Sequence, residues 1–256
     1  MTINSKDLEN IVKSIAKAVG FDTRTYLNES NTDTHNALIH LRGDYINTNI
    51  RNMVIAGRDN LELKHFKRFS WMGVFIIDRE NKVTINVSSR GTIDRIKSSR
   101  NRNRPHYLSS MCHVLNGDLV SPCKQIALDG FELSDDFTED EYSADFESIV
   151  DMAWSQYNGY HHYTVAYEAE NFEIKSVSLM LLDKDLDLVE ETSLMDMLRP
   201  DFGTLTSAVP VEETEPKVRD SHSLVKVKSG IKSKNSNEPE KKTEIYTKEE
   251  EAAKRA

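Results

Sequence analysis

The chain has 256 residues, 42 of them acidic and 33 basic, which gives a formal charge of −9 and a pI near 5.4. With 38% hydrophobic and 29% charged residues, 10 glycines and 6 prolines, the composition excludes collagenous, mucin-like and wholly disordered classes and fits a globular protein of one or two domains. No apolar run reaches the length of a membrane helix, and the start, MTINSKDLEN, lacks the basic and then apolar regions of a signal peptide. A soluble cytosolic protein without membrane contact is the expectation. Cys112 and Cys123 lie eleven positions apart, outside any CxxC pattern, so neither a disulfide framework nor a cysteine zinc site is indicated.

The first element is a helix. Leu8, Ile11, Val12, Ile15 and Val19 recur at three- and four-residue spacing, Asn4 or Ser5 can cap its start, and Gly20 stands where a helix-ending residue belongs. A second helical region runs from Asn31/Thr32 to Gly57 through Leu38, Leu41, Tyr45, Ile46, Ile50, Met53 and Val54, with Gly43 as a point of interruption. The period then changes. Trp71 to Ile77 is nearly continuously apolar and reads as a strand covered on both faces. Val83, Ile85 and Val87 alternate with Thr84, Asn86 and Ser88 and read as a half-exposed neighbour across the DRENK turn.

Thr92 starts a short helix, and Pro105 opens another whose stripe is Tyr107, Leu108, Met111, Cys112 and Leu115. Thr138 with Glu141 forms a capping box, flanked by Phe137 and Tyr142 in staple positions, and the helix it opens is expected to run to Asn158-Gly159. Strands return at Tyr163 to Tyr167, Phe172 to Leu182 and Leu186 to Val189, and Ser193 with Asp196 caps a last turn before Pro200. This order predicts an α+β fold: an N-terminal helical layer, a β-hairpin, helices, then an antiparallel meander.

Apolar periodicity stops near Pro210. Residues 208–256 contain one aromatic, three prolines, 11 basic and 10 acidic residues, too little apolar surface to offset the entropy of ordering, so a disordered charged tail is expected. The body is then 1–207, open to division into a helical part, 1–57, and a sheet-containing part, 58–207.

Charge is segregated within that body. Residues 129–151 hold ten acids and no base, whereas 88–106 hold six bases, Arg90, Arg95, Lys97, Arg100, Arg102 and Arg104, against Asp94 alone. Guanidinium groups feeding a helix start suit phosphate, because free N–H groups and the helix dipole already favour an anion there. On the helix after Pro105, His106, Ser110 and His113 fall on the side away from the apolar stripe, as a wet polar face able to grip a phosphodiester backbone. The competing explanation pairs these arginines with the protein's own acidic helix.

Arg100-Asn101 followed by His106 resembles the R-x4-6-H element of HEPN-type ribonucleases over these seven residues. The resemblance implies RNA cleavage with Arg100 and His106 as catalytic groups; HEPN domains are all-helical, whereas this element follows a hairpin. Glu173-Ile174-Lys175 has the E-x-K order of a metal-dependent nuclease strand, with Glu168 as the remaining acid, but the same pattern recurs five times in the chain. His161 and His162 should point to opposite faces of a strand, and no metal or cofactor is expected. There is no glycine-rich phosphate loop and no GxSxG elbow.

The sequence therefore predicts an accessory protein that binds an anionic partner, RNA or DNA foremost, through Arg90, Arg95, Lys97, Arg100, Arg102, Arg104 and His113. The alternatives are a protein-interaction module or inhibitor using the acidic helix and tail, and an RNA-cleaving enzyme using Arg100 and His106. Oligomeric state is left open.

Overall fold

Asn4 begins the first helix as its composition suggests: the side-chain Oδ1 accepts from the Lys6 N–H at 2.9 Å. The structure, a computed structural model, describes residues 3–68, 70–99, 103–122, 137–151 and 154–198. The expected tail lies outside these residues, as do Cys123 and most of the acidic run before Phe137.

Helix α1 (Ser5–Lys17) buries Leu8, Ile11, Val12 and Ile15, the predicted stripe. Gly20 does not end it. The chain passes through a wide π-helical turn, Ala18–Asp22, into α2 (Thr23–Glu29). The carbonyl loosened by that turn is taken up by the buried Thr23 hydroxyl, which donates to Ala18 O at 2.7 Å. Helix α3 (Leu38–Ile50) runs uninterrupted through Gly43 and continues as a π-turn to Ile55, before Gly57 at φ 75°. Asn49 on α3 ties the pair together, donating to Ser14 O at 3.3 Å and to Asp22 Oδ2 at 2.7 Å.

One six-stranded sheet follows in sequence order: β1 (Leu61–Arg68), β2 (Trp71–Asp78), β3 (Val83–Ser89), β4 (His161–Glu170), β5 (Glu173–Leu182) and β6 (Leu188–Ser193). Four pairings are antiparallel. The central one, β3 with β4, is parallel, with Val83 opposite His161 and Ser89 opposite Tyr167. The sheet is thus two meanders joined edge to edge. The return from β3 to β4 carries α4 (Arg90–Ser98), α5 (Tyr107–Leu115) and α6 (Glu139–Val150), as a parallel pair requires a crossover. The fold is α+β, as expected, with a mixed sheet that is mostly antiparallel.

The two faces are covered by different helices. Ile76, Val83, Ile85, Val165, Val177 and Leu179 form one core with α1 and α3. On the other face Phe75 and Ile77 meet α5 and α6, and Ala166, Met180 and Leu182 meet α4 and α5. Burying each large aliphatic side chain contributes about 1.5–3 kcal/mol, so α1 is held mainly by its stripe rather than its cap.

Four sequence expectations change here. Strand β1 was not foreseen. Trp71 and Met72, expected in a strand covered on both faces, are 44% and 63% exposed at the β1–β2 turn. The polar side of β3 is not half-exposed: Thr84, Asn86 and Ser88 are buried, because the crossover lays α4 and α5 over that face. Helix α6 has the predicted capping box, Glu141 N–H donating to Thr138 Oγ1 at 3.3 Å and Thr138 N–H to Glu141 Oε2 at 2.8 Å. It stops at Val150 rather than Asn158, with Asp151 left-handed at φ 54°. Among the described residues no helix is long and apolar enough to cross a membrane.

Candidate functional site

Helix α4 starts when the Ser89 hydroxyl accepts from the Thr92 N–H at 3.2 Å. Arg90 in its first turn meets Glu191 of β6 at 2.5 Å, and Lys97 in its last turn pairs with Asp187. Arg95 lies in the same last turn. Arg100, Asn101 and Arg102 are outside the described residues. Arg104 points to the acidic helix: its Nε donates to Asp145 Oδ1 at 2.6 Å and its Nη2 to Ser148 Oγ at 3.0 Å.

Asp145 is the centre of a buried cluster. Its side chain is 3% exposed and also receives Arg68 of β1 and the Ser110 hydroxyl, the latter at 2.5 Å. A carboxylate so enclosed must be neutralised, and two guanidinium groups with a hydroxyl do so. The α5 side expected to be wet is therefore covered. Ser110 is fully buried against Asp145, and His113, 7% exposed, stacks on Tyr142 at 4.0 Å with Nε2 2.6 Å from Glu139 Oε2.

His106 stands apart from His113, at the start of α5. It caps the helix, its Nδ1 accepting from the Leu108 N–H at 3.2 Å, and its ring leans on Tyr107 with centroids 4.6 Å apart. Nδ1 therefore carries the lone pair, and in the neutral ring the proton sits on Nε2.

Beneath α5 the polar side of β3 meets that of β4. Thr84 Oγ1 lies 2.7 Å from His162 Nδ1, and His162 Nε2 lies 3.1 Å from Asn86 Oδ1. Thr164 donates to the same Asn86 oxygen at 2.7 Å, while Asn86 Nδ2 donates to Tyr107 OH at 3.3 Å. Burial pushes the His162 imidazole down to about 3, so it is neutral throughout the ordinary pH range. Tyr107 is pushed upward, also by burial. This network is satisfied and closed to solvent; it joins α5 to the sheet.

Tyr107 connects the network to the surface. Trp71 stacks on it, centroids 5.4 Å apart and planes 30° apart, and both touch Phe66. Gly73, opposite Phe66, leaves room for that ring: a Cβ there would fall 2.4 Å from it. Arg68 donates to Pro105 O at 3.3 Å, drawing the β1–β2 turn against the end of the basic loop. Exposed Trp71 thus stands beside the start of α5, while Lys67 and Met72, paired across the same turn, point to the opposite face of the sheet. No apolar periodicity marks this half of the site, although KHFKRFSWM interleaves bases with aromatics.

The other patterns separate. Glu173 and Lys175 pair with each other at 3.6 Å at the exposed end of β5, and Glu168 accepts from Ser176 Oγ at 3.1 Å. His161 and His162 do diverge, the second buried and the first partly exposed. Among the described residues no three His, Cys, Asp or Glu side chains are grouped to hold a metal ion.

A family model described as a family of unknown function (DUF5986) matches residues 1–245, so the chain belongs to that family. No curated protein and no solved structure matches it.

Proposed function

We propose that this member of the DUF5986 family binds a nucleic-acid strand on the surface where the basic loop, residues 99–106, meets the β1–β2 turn. The observation that carries the reading is the stacking of half-exposed Trp71 on Tyr107 beside a loop pinned by the Arg68–Pro105 hydrogen bond. An exposed indole beside the end of an arginine-rich loop suits a single strand: bases stack at about 1–3 kcal/mol each and phosphates meet guanidinium groups.

Magnitudes divide the cations. Arg104 binds a carboxylate that is itself buried, so it positions the loop and stays in place. Arg90–Glu191 and Lys97–Asp187 are partly exposed pairs worth about 0–1 kcal/mol, but they lie toward the β6 edge of the sheet, away from the β1–β2 turn, and are outside this surface. Arg100 and Arg102, of the same loop as Arg104, complete the set.

The test is fluorescence anisotropy with a labelled single-stranded RNA and its DNA equivalent. The reading expects binding that Arg100→Ala with Arg102→Ala reduces about tenfold or more, given the loss of two phosphate contacts. Equal binding by wild type and double variant would overturn it. Cleavage by His106 is a second reading that the capping bond disfavours, since its Nδ1 already accepts from the Leu108 N–H.

A further inference from the structure

At the end of the sheet opposite Trp71, the end of α5 with the turn after it and the turn before β4 line an open-mouthed cavity of about 230 Å³. We propose that it is a mononucleotide site, which takes an amino-bearing base into the cavity and leaves the phosphate at the rim.

Its walls are held in place. Asn116 Nδ2 donates to His162 O at 2.9 Å while its Oδ1 accepts from the His162 N–H at 2.8 Å. This two-way latch fixes the Asp118 turn against the start of β4, and the His161 N–H donates to Lys82 O at 3.1 Å. The inside is aromatic on one side, where Tyr157 and Tyr160 lie edge to face at 5.3 Å, and acceptor-rich on the other.

One ring nitrogen there is unsatisfied. His161 Nδ1 is buried and has no hydrogen-bond partner, and the nearest Asp118 oxygen is 4.0 Å away, beyond bonding distance. With the His161 proton on Nε2, an amino group lying against both could give one hydrogen to Nδ1 and the other to the carboxylate, which an exocyclic amino group on a flat ring provides while the ring rests on a tyrosine. The volume is below the ~300–1,000 Å³ that encloses a drug-sized molecule, so it admits one ring system and leaves sugar and phosphate outside. There Lys82 is placed to meet the phosphate: its Nζ lies 3.8 Å from where a side chain on Gly159 would begin. Gly159, at φ 77°, makes the turn that brings the two positions together.

The site does not depend on the strand-binding reading. Titration calorimetry of the full chain with AMP, CMP and UMP tests it. AMP and CMP should each bind at one site, and UMP, with a carbonyl in place of the amino group of CMP, should bind about tenfold more weakly or worse. Asp118→Ala should abolish the CMP-over-UMP preference. Lys82→Ala should weaken AMP but leave adenosine unchanged, and Arg100→Ala with Arg102→Ala should leave all three affinities alone. No binding of AMP or CMP at millimolar concentration, equal binding of CMP and UMP, or unchanged preference in Asp118→Ala would overturn the proposal.

Discussion

Arg104 donates through Nε to Asp145 at 2.6 Å, and this bond ties the basic loop to the acidic helix. The two opposed charge concentrations of the sequence are therefore joined at one point. Asp145, enclosed by Arg68, Arg104 and Ser110, serves the fold.

Replacing Asp145 by alanine strands two guanidinium groups, of which Arg68 has a side chain only 12% exposed. Breaking a buried pair costs about 3–5 kcal/mol; half-exposed Arg104 can turn to water, which favours the lower end. Urea unfolding should show a loss of about 3 kcal/mol, with a midpoint shift at constant slope. A loss no larger than that of Glu173→Ala, a surface control, would mean the cluster contributes little.

His162 predicts an acid-sensitive fold. Its folded value, about 3, lies below the ordinary 6.5 because burial disfavours the charged ring. The stabilisation is complete above about pH 6.5 and is lost as pH falls toward 3, because only the unfolded chain takes up the proton. Each unit in that window removes up to about 1.4 kcal/mol. In His162→Gln the slope of stability against pH between 6 and 4 should be flatter than wild type by about one proton. Identical slopes would place the histidine in a solvated setting.

Asn116 closes three main-chain hydrogen bonds, two with His162 and one to Leu182 O at 2.7 Å. Asn116→Ala leaves buried backbone groups unpaired at about 1–3 kcal/mol each. Hydrogen exchange should quicken first at the start of β4, the His162 amide above all. Protection unchanged there would remove the latch from the account.

Cys112 is fully buried, and burial, with Asp183 adding to it, pushes its thiol well above the ordinary range. The thiolate is the reacting form. In a Cys123→Ser variant the native chain should not react with a thiol-specific dye until denatured; rapid native labelling would contradict the packing of α5.

Much of this fold is legible from side-chain spacing. The stripe of α1, the capping box of Thr138 and Glu141, and the β4–β6 meander all follow from local pattern, since each element's apolar side faces a neighbour close in sequence or a single broad core. What local pattern conceals is coverage by distant elements. Thr84, Asn86, His162 and Thr164 look like the wet side of a sheet, and only the crossover that pairs β3 with β4 in parallel buries them. Ser110 and His113 look exposed for the same reason, their cover being α6. Strand β1 is hidden by its charge: Glu62, Lys64 and Lys67 suit an edge strand and break the apolar rhythm. The site was half legible: the arginines stand out by composition, whereas the partnership of Trp71 with Tyr107 spans 36 positions of sequence and exists only in the folded chain.

The most direct measurement of strand binding is the fluorescence of Trp71, in a Trp154→Phe background, titrated with single-stranded RNA at increasing salt. The account predicts quenching on binding, with log affinity falling linearly against log salt at a slope of about −0.7 per phosphate contacted, and loss of the signal in Arg100→Ala with Arg102→Ala. Emission unchanged by RNA at low salt, or quenching that ignores both salt and the arginines, would contradict it.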